Sequence, residues 1–337
     1  MSILPEMEED LKKRLQLTPP PPAGFDPLTA TNDQLVHFGL PPRPDPLRYE
    51  AAYGVWHRTM SPPLRIVPAT FPVLTEKFDY RISVDALVLQ VAPSYHLESS
   101  ANWSGGYITA NHTGPFSLVF GSWTIPTPNP PAGAPAGDYR CATWIGVDGV
   151  RRYSDSLPQL GTTQTVVVGA TGTMRTVEAW WQWWIRGSNY LPVPFPVPFT
   201  VAIGDAVTCG LVRLSSSRVL VFIKNNNSGL YAGYVVDAPG AAASLSAIAG
   251  LRGAHAEWIA ERPMKIGSTD LYPLADYGLV DFSDCLTVVP SQVRDLRGAR
   301  FIRMSEMRRS PLRSTIISSA GKTGAPQTVM RAQYRTE

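Results

Sequence analysis

The chain has 337 residues, of which 44% are hydrophobic and 17% charged, with a formal net charge of +3. That apolar content permits a sizeable core, and so few charges exclude a charged coil or a long charged helical rod. Thirty-two prolines and 27 glycines interrupt the chain too often for a helical bundle, whereas nine Trp and 13 Tyr favour strands, so an all-β domain is expected.

The N-terminus, MSILPEMEEDLKKRL, has acidic residues where a secretory signal needs a basic start and an apolar core, so no signal peptide is visible. Residues 1–98 are proline-rich, with LTPPPPAGFDPLTA and LPPRPDPLRYEAAYGVWHR breaking short apolar pieces. Brief helices are expected at Asp33–Phe38 and Leu47–His57, with the remainder extended or polyproline-like. Such a segment buries little alone; it is expected to be a strap on the main domain or a removable pro-segment.

From Asn102 the pattern turns to strands, which sets a domain over residues 99–337. Candidates are Phe116–Ile125, Cys141–Val147, Gln164–Gly169, Thr176–Ile185, Val197–Val212, Arg218–Lys224, Leu230–Val236, Ala254–Glu261 and Tyr277–Phe282. Two more are expected near Phe301–Met304 and Thr328–Tyr334, and one helix-like stretch at Ala241–Leu251. Gly, Asn and Pro clusters between these runs predict a two-sheet antiparallel β-sandwich or a barrel. The most apolar stretch, Leu191–Ile203, contains four prolines and is too short to cross a bilayer, so no membrane partner is expected. From Arg294 onward ten Lys or Arg meet three Asp or Glu, but no nucleic-acid motif accompanies them, and these arginines read as solvent-facing strand positions. Cys141, Cys209 and Cys285 allow at most one disulfide and have no metal-ligand spacing; no metal is expected.

Three motifs carry chemistry. In a strand over Ala256–Glu261, Glu257, Ile259 and Glu261 share one face while Trp258 and Ala260 face a core. Glu178, Trp180, Gln182 and Trp184 line one face of the next, mixing carboxylate, amide and indole as a concave binding surface does, with Trp181 and Trp183 opposite. Trp144-Ile-Gly-Val-Asp148-Gly149 followed by Gln159-Leu-Gly161 ends a strand in an Asp-Gly turn and returns an amide beside accessible backbone.

The ordered set Asn102-Trp103-Ser-Gly105-Gly106, Trp144…Asp148-Gly149, Gln159-Leu-Gly161, Glu178-Ala-Trp180, Gly204-Asp205, Glu257-Trp-Ile-Ala-Glu261 and Asp276-Tyr-Gly278…Phe282 resembles the glutamic peptidases, the eqolisins of peptidase family G1. The resemblance spans roughly Asn102 to Phe282. It implies a concanavalin-like sandwich and a cofactor-free endopeptidase acting on a protein or peptide substrate, as a monomer and at acidic pH. It puts the dyad on Gln159 and Glu257. It assigns Trp103, Gly105, Gly161, Trp184 and Ile259 to the substrate cleft, and Trp144, Asp148, Glu178, Trp180 and Glu261 to its support. Localisation stays open, secretion being suggested by the family alone.

Two positions depart from the family pattern: Thr163 and Glu178 each stand where an aspartate is usual. With a sequence pI near 8.7, an activity optimum less acidic than the family norm is expected. His255, two residues before Glu257 on the same face, either tunes that carboxyl or is a cleft-edge or surface histidine. The competing readings are a non-catalytic binding module, favoured by Thr163, and a β-glucanase, disfavoured because Ile259 stands where such enzymes place an aspartate.

Overall fold

The computed structural model describes residues 4–74, 80–81, 97–110, 113–150, 154–186, 190–239, 250–266, 268–309, 312–324 and 326–335. The helix expected at Ala241–Leu251 lies almost wholly outside them.

In chain order the elements begin with α1 (Leu4–Arg14), β1 (Leu15–Gln16), α2 (Asn32–His37), α3 (Glu50–Met60), β2 (Arg65–Ile66), β3 (Tyr80–Arg81) and β4 (Leu97–Ser100). The sandwich proper runs through β5 (Trp103–Thr109), β6 (Leu118–Thr124), β7 (Gly137–Val147), β8 (Ser156–Gly169), β9 (Gly172–Ile185), β10 (Val193–Pro194), β11 (Ala206–Arg213), β12 (Arg218–Asn225) and β13 (Leu230–Asp237). It closes with β14 (His255–Glu261), β15 (Met264–Lys265), β16 (Leu279–Val289), β17 (Gln292–Arg294), β18 (Arg300–Arg309), β19 (Leu312–Lys322) and β20 (Met330–Tyr334).

These strands form a two-layer antiparallel β-sandwich. One layer runs β13-β12-β11-β6-β16, with β1 and β2 added to the free edge of β13. The other runs β10-β9-β8-β7-β14-β5-β18-β19-β20. β16 belongs to both: Leu279–Phe282 pair with β20, and Ser283–Val288 pair with β6 after an irregularity at 283–286, where Asp284 takes φ 53°. Among the described strand pairs only β13–β2 and β18–β4 are parallel.

Alternation sorts each strand between core and site. Trp181 and Trp183 of β9, Trp258 and Ala260 of β14, and Ile145 of β7 point into the core between the layers, where they meet Leu211, Val221 and Ile223. Trp258 also donates its indole N–H to Phe120 O at 2.7 Å, which satisfies its one buried polar atom. All three cysteines are buried free thiols, and burial pushes their ionisation up.

The N-terminal segment has its two expected helices, as α2 and α3, and departs from expectation at its start, where α1 replaces extended chain. α1 exists because Met7 and Leu11, one turn apart, bury against the sandwich while an acidic first turn and a basic last turn complement the helix dipole. α2 is held by a capping box between Thr31 and Gln34. α3 lays Val55, Trp56 and Met60 on the outer face of the first layer, against Leu118, Phe120, Leu220, Phe222, Leu286 and Val288. These residues make a second apolar core on that face. The long strand expected over Val197–Val212 begins only at Ala206, and β19 was not legible in its polar run.

Candidate active site

The register of five neighbouring strands brings the sequence-predicted residues onto one face. Tyr107, Glu257, Gly146, Gln159 and Gln182 stand directly opposite one another on β5, β14, β7, β8 and β9. The next row is Gly105, Ile259, Trp144, Gly161 and Trp180; the one after it is Trp103, Glu261, Ala142, Thr163 and Glu178. Leu157 and Trp184 pair one row to the other side. Residues opposite each other in an antiparallel ladder project to the same side, so these side chains share one surface.

Gln159 and Glu257 are two strands apart, roughly 10 Å along the ladder, with only Gly146 between them. A Cβ on Gly146 would lie 3.1 Å from Glu257 Oε1 and 2.7 Å from Leu157 Cδ1. The Glu257 carboxyl therefore leans over bare backbone on the Gln159 side. Both side chains are fully buried. Gln159 Nε2 donates to Gln182 Oε1 at 2.9 Å, and Gln182 Nε2 donates to Tyr190 O at 2.6 Å, so a chain of amides fixes which way Gln159 faces. Gln159 Oε1 and both Glu257 oxygens accept no hydrogen bond from the described residues. Burial, reinforced by the negative charge of Asp148, raises the Glu257 pKa well above the ordinary carboxyl value.

Asp148 caps the loop that delivers β14. It adopts φ 70° and accepts the main-chain N–H groups of Arg252, Gly253 and Ala254 at 2.7–3.0 Å. Its own N–H donates to His255 O at 3.0 Å. His255 is buried, which removes the surface reading of it, and its Nε2 accepts the Val150 N–H at 3.0 Å. That nitrogen lies 3.4 Å from Glu257 Oε2. Burial lowers the ring's pKa to about 4, against the opposing pull of Asp148.

Aromatic rings form the walls. Trp103 meets Trp144 edge-on at 5.1 Å, and both cluster with Tyr107, Trp180, Trp184, Ile259, Leu157 and Tyr272. Tyr80 of the N-terminal segment is buried in the same cluster, beside Arg140. Glu261 accepts the Trp144 indole N–H at 2.8 Å and lies 3.4 Å from Asn102 Nδ2, so it anchors a wall instead of facing Gln159. Thr163 accepts the Trp180 indole N–H at 2.8 Å, which gives the departure from aspartate a function of its own. Glu178 stands beside Thr163 at the partly exposed end of the row, and Arg186 stacks over Trp184 with its Cζ 5.5 Å from the ring centroid. Reading the sequence left Gly146 and Tyr107 out of the site; both emerge only from the register.

The Peptidase A4 family profile matches residues 101–324. The fold is similar to two structures of scytalido-glutamic peptidase with transition-state analogues, each with a TM-score of 0.52, at 17% and 18% identity, covering 70% of this chain and 98% of that one. SCP-B, a member of the eqolisin family in complex with the tripeptide Ala-Ile-His, aligns at 16% identity with a TM-score of 0.49, over 70% of this chain and 98% of that one. No curated protein matches the sequence. The chain belongs to the Peptidase A4 family, the eqolisins. It is accordingly a hydrolase that acts as a peptidase.

Proposed function

We propose that this peptidase is an endopeptidase that cleaves protein or peptide chains with Gln159 and Glu257. The reading rests on one observation: two buried side chains in the same row offer acceptor oxygens that no described residue satisfies. Buried acceptors of that kind are ordinarily paired, and a water molecule donating one hydrogen to each would pair them. In the carboxylate form Glu257 takes a proton from that water as its oxygen bonds to the substrate carbonyl carbon. The carbonyl electron pair moves onto oxygen, where the second Gln159 Nε2–H is free to donate, a contribution of about 3–4 kcal/mol for comparable donors. Glu257 then gives its proton to the amide nitrogen, the C–N bond breaks, and the carboxylate is restored. Trp103, Gly105, Gly161, Trp184 and Ile259 line the path of the substrate chain. Trp144, Asp148, Glu178, Trp180 and Glu261 hold the walls and the dyad strand.

The raised Glu257 pKa means that the base form grows only as pH climbs through that raised value. This supports an optimum less acidic than a solvated carboxyl would give. Incubating the protein with a peptide library from strongly acidic to neutral pH, with a chelator and pepstatin present, tests the reading. Cleavage lost in Gln159→Ala and Glu257→Gln, with the fold retained, is the expected result. Undiminished cleavage in both would overturn the dyad.

A further inference from the structure

We infer that His255 is a positioning residue for Glu257: its unprotonated Nε2, 3.4 Å from Oε2, holds the carboxyl in its proton-bearing form at rest. The inference rests on the reading of Glu257 as the proton-transfer group.

The Val150 main-chain N–H, 3.0 Å from Nε2, requires that nitrogen to be unprotonated. The same atom lies 3.4 Å from Glu257 Oε2, close enough for a small rotation to make an O–H···N contact. With the tautomer locked in this way, the ring has no proton to offer Glu257. An ionised carboxylate would face a lone pair, whereas a protonated one can share it with the Val150 amide. The ring is held from three sides: by β14, by Tyr107, whose ring meets it edge-on at 5.8 Å, and by the Asp148 turn. Among the described residues, the titratable and charged groups around the pair are few. They are Asp148 at the end of β7, Tyr107 on β5, Glu98 on β4, which accepts the Tyr107 hydroxyl at 2.8 Å, and Arg300 on β18, 3.4 Å beyond Glu98. Arg252, in the loop before β14, is exposed. None of them supplies a proton to Oε2. Desolvation of both groups acts in the same direction, favouring neutral imidazole beside neutral carboxyl.

The test reads the carboxyl directly. In an infrared titration of the full chain, the C=O stretch of a buried protonated carboxyl that disappears in Glu257→Gln reports this group. In His255→Leu its midpoint should fall by about one pH unit, a tenfold loss of proton affinity. In His255→Gln, whose amide oxygen can replace the Nε2 lone pair, the midpoint should stay near that of the unsubstituted protein. The acid limb of kcat/KM should move with the midpoint while KM changes little. Should His255→Leu fail to fold, His255→Asn, too short to reach both Val150 and Glu257, takes its place. A midpoint unmoved in a folded variant overturns the inference. An unsubstituted protein that cleaves no peptide at any pH overturns the proposed function instead, and the infrared midpoint still decides the role of His255.

Discussion

Gln159 and Glu257 occupy one cross-strand row with Gly146 as the single residue between them. Because Gly146 has no side chain, Glu257 Oε1, Leu157 Cδ1 and Trp144 Cζ3 close over its backbone. Gly146→Ala would place a methyl 3.1 Å from Glu257 Oε1 and 2.7 Å from Leu157 Cδ1, and push the carboxyl out of line. A displacement near 1 Å costs about 100-fold in rate, so kcat should fall by that order while thermal stability changes far less. Steady-state kinetics beside a thermal melt separate the two effects.

Glu257 also sets a stability gradient with pH. Its folded-state pKa is raised, so its contribution to stability is full below the unfolded value of about 4.3 and is lost as pH rises toward the folded value. Glu257→Gln removes that loss. The variant should melt higher than the parent at neutral pH, by up to about 1.4 kcal/mol for each pH unit that separates the folded and unfolded pKa values. The two proteins should converge in strong acid. Parallel melting curves at every pH would contradict the buried neutral carboxyl.

His255 contributes the opposite slope. With its pKa lowered to about 4 from an ordinary 6.5, its stabilising effect is present above the unfolded value and is lost as pH falls toward 4. Denaturant titrations should therefore show stability declining between about pH 6.5 and 4. His255→Gln should flatten that decline.

Thr163 and Trp180 make a further pair. Thr163→Val leaves a buried indole N–H without its acceptor and should cost about 1–3 kcal/mol in urea denaturation. Thr163→Ser should recover most of it. Equal stability of Val and Thr would show that the indole finds another partner.

The packing of the N-terminal segment sets up a truncation test. Removing residues 1–74 uncovers Leu118, Phe120, Leu220 and Phe222 on the first layer, each worth about 1.5–3 kcal/mol of burial. The truncated chain should aggregate or melt far below the full one, as light scattering and calorimetry would register. A well-folded, soluble truncate would instead favour a removable segment.

Much of the site was legible because alternation sorts strand faces without any knowledge of partners: Trp181 and Trp183 inward, Trp180, Gln182 and Trp184 outward. Alignment between strands was not legible, since register depends on ladders between distant segments, and so Gly146 went unremarked. β8 starts at Ser156, well before the expected Gln164, because Pro158 lies where the ladder with β7 has not yet begun and its missing N–H is tolerated. α1 was hidden by neighbouring prolines although Met7 and Leu11 carried its spacing. His255 looked peripheral because nothing local reveals that Tyr107 and the Asp148 turn close over it.

β16 is one unbroken length of backbone stitched into both layers, crossing between them at Ser283–Leu286, where Arg58 of α3 holds Asp284 at 2.8 Å. A seam of that kind resists splaying. The two leaves are tied to each other by continuous covalent backbone as well as by the core between them.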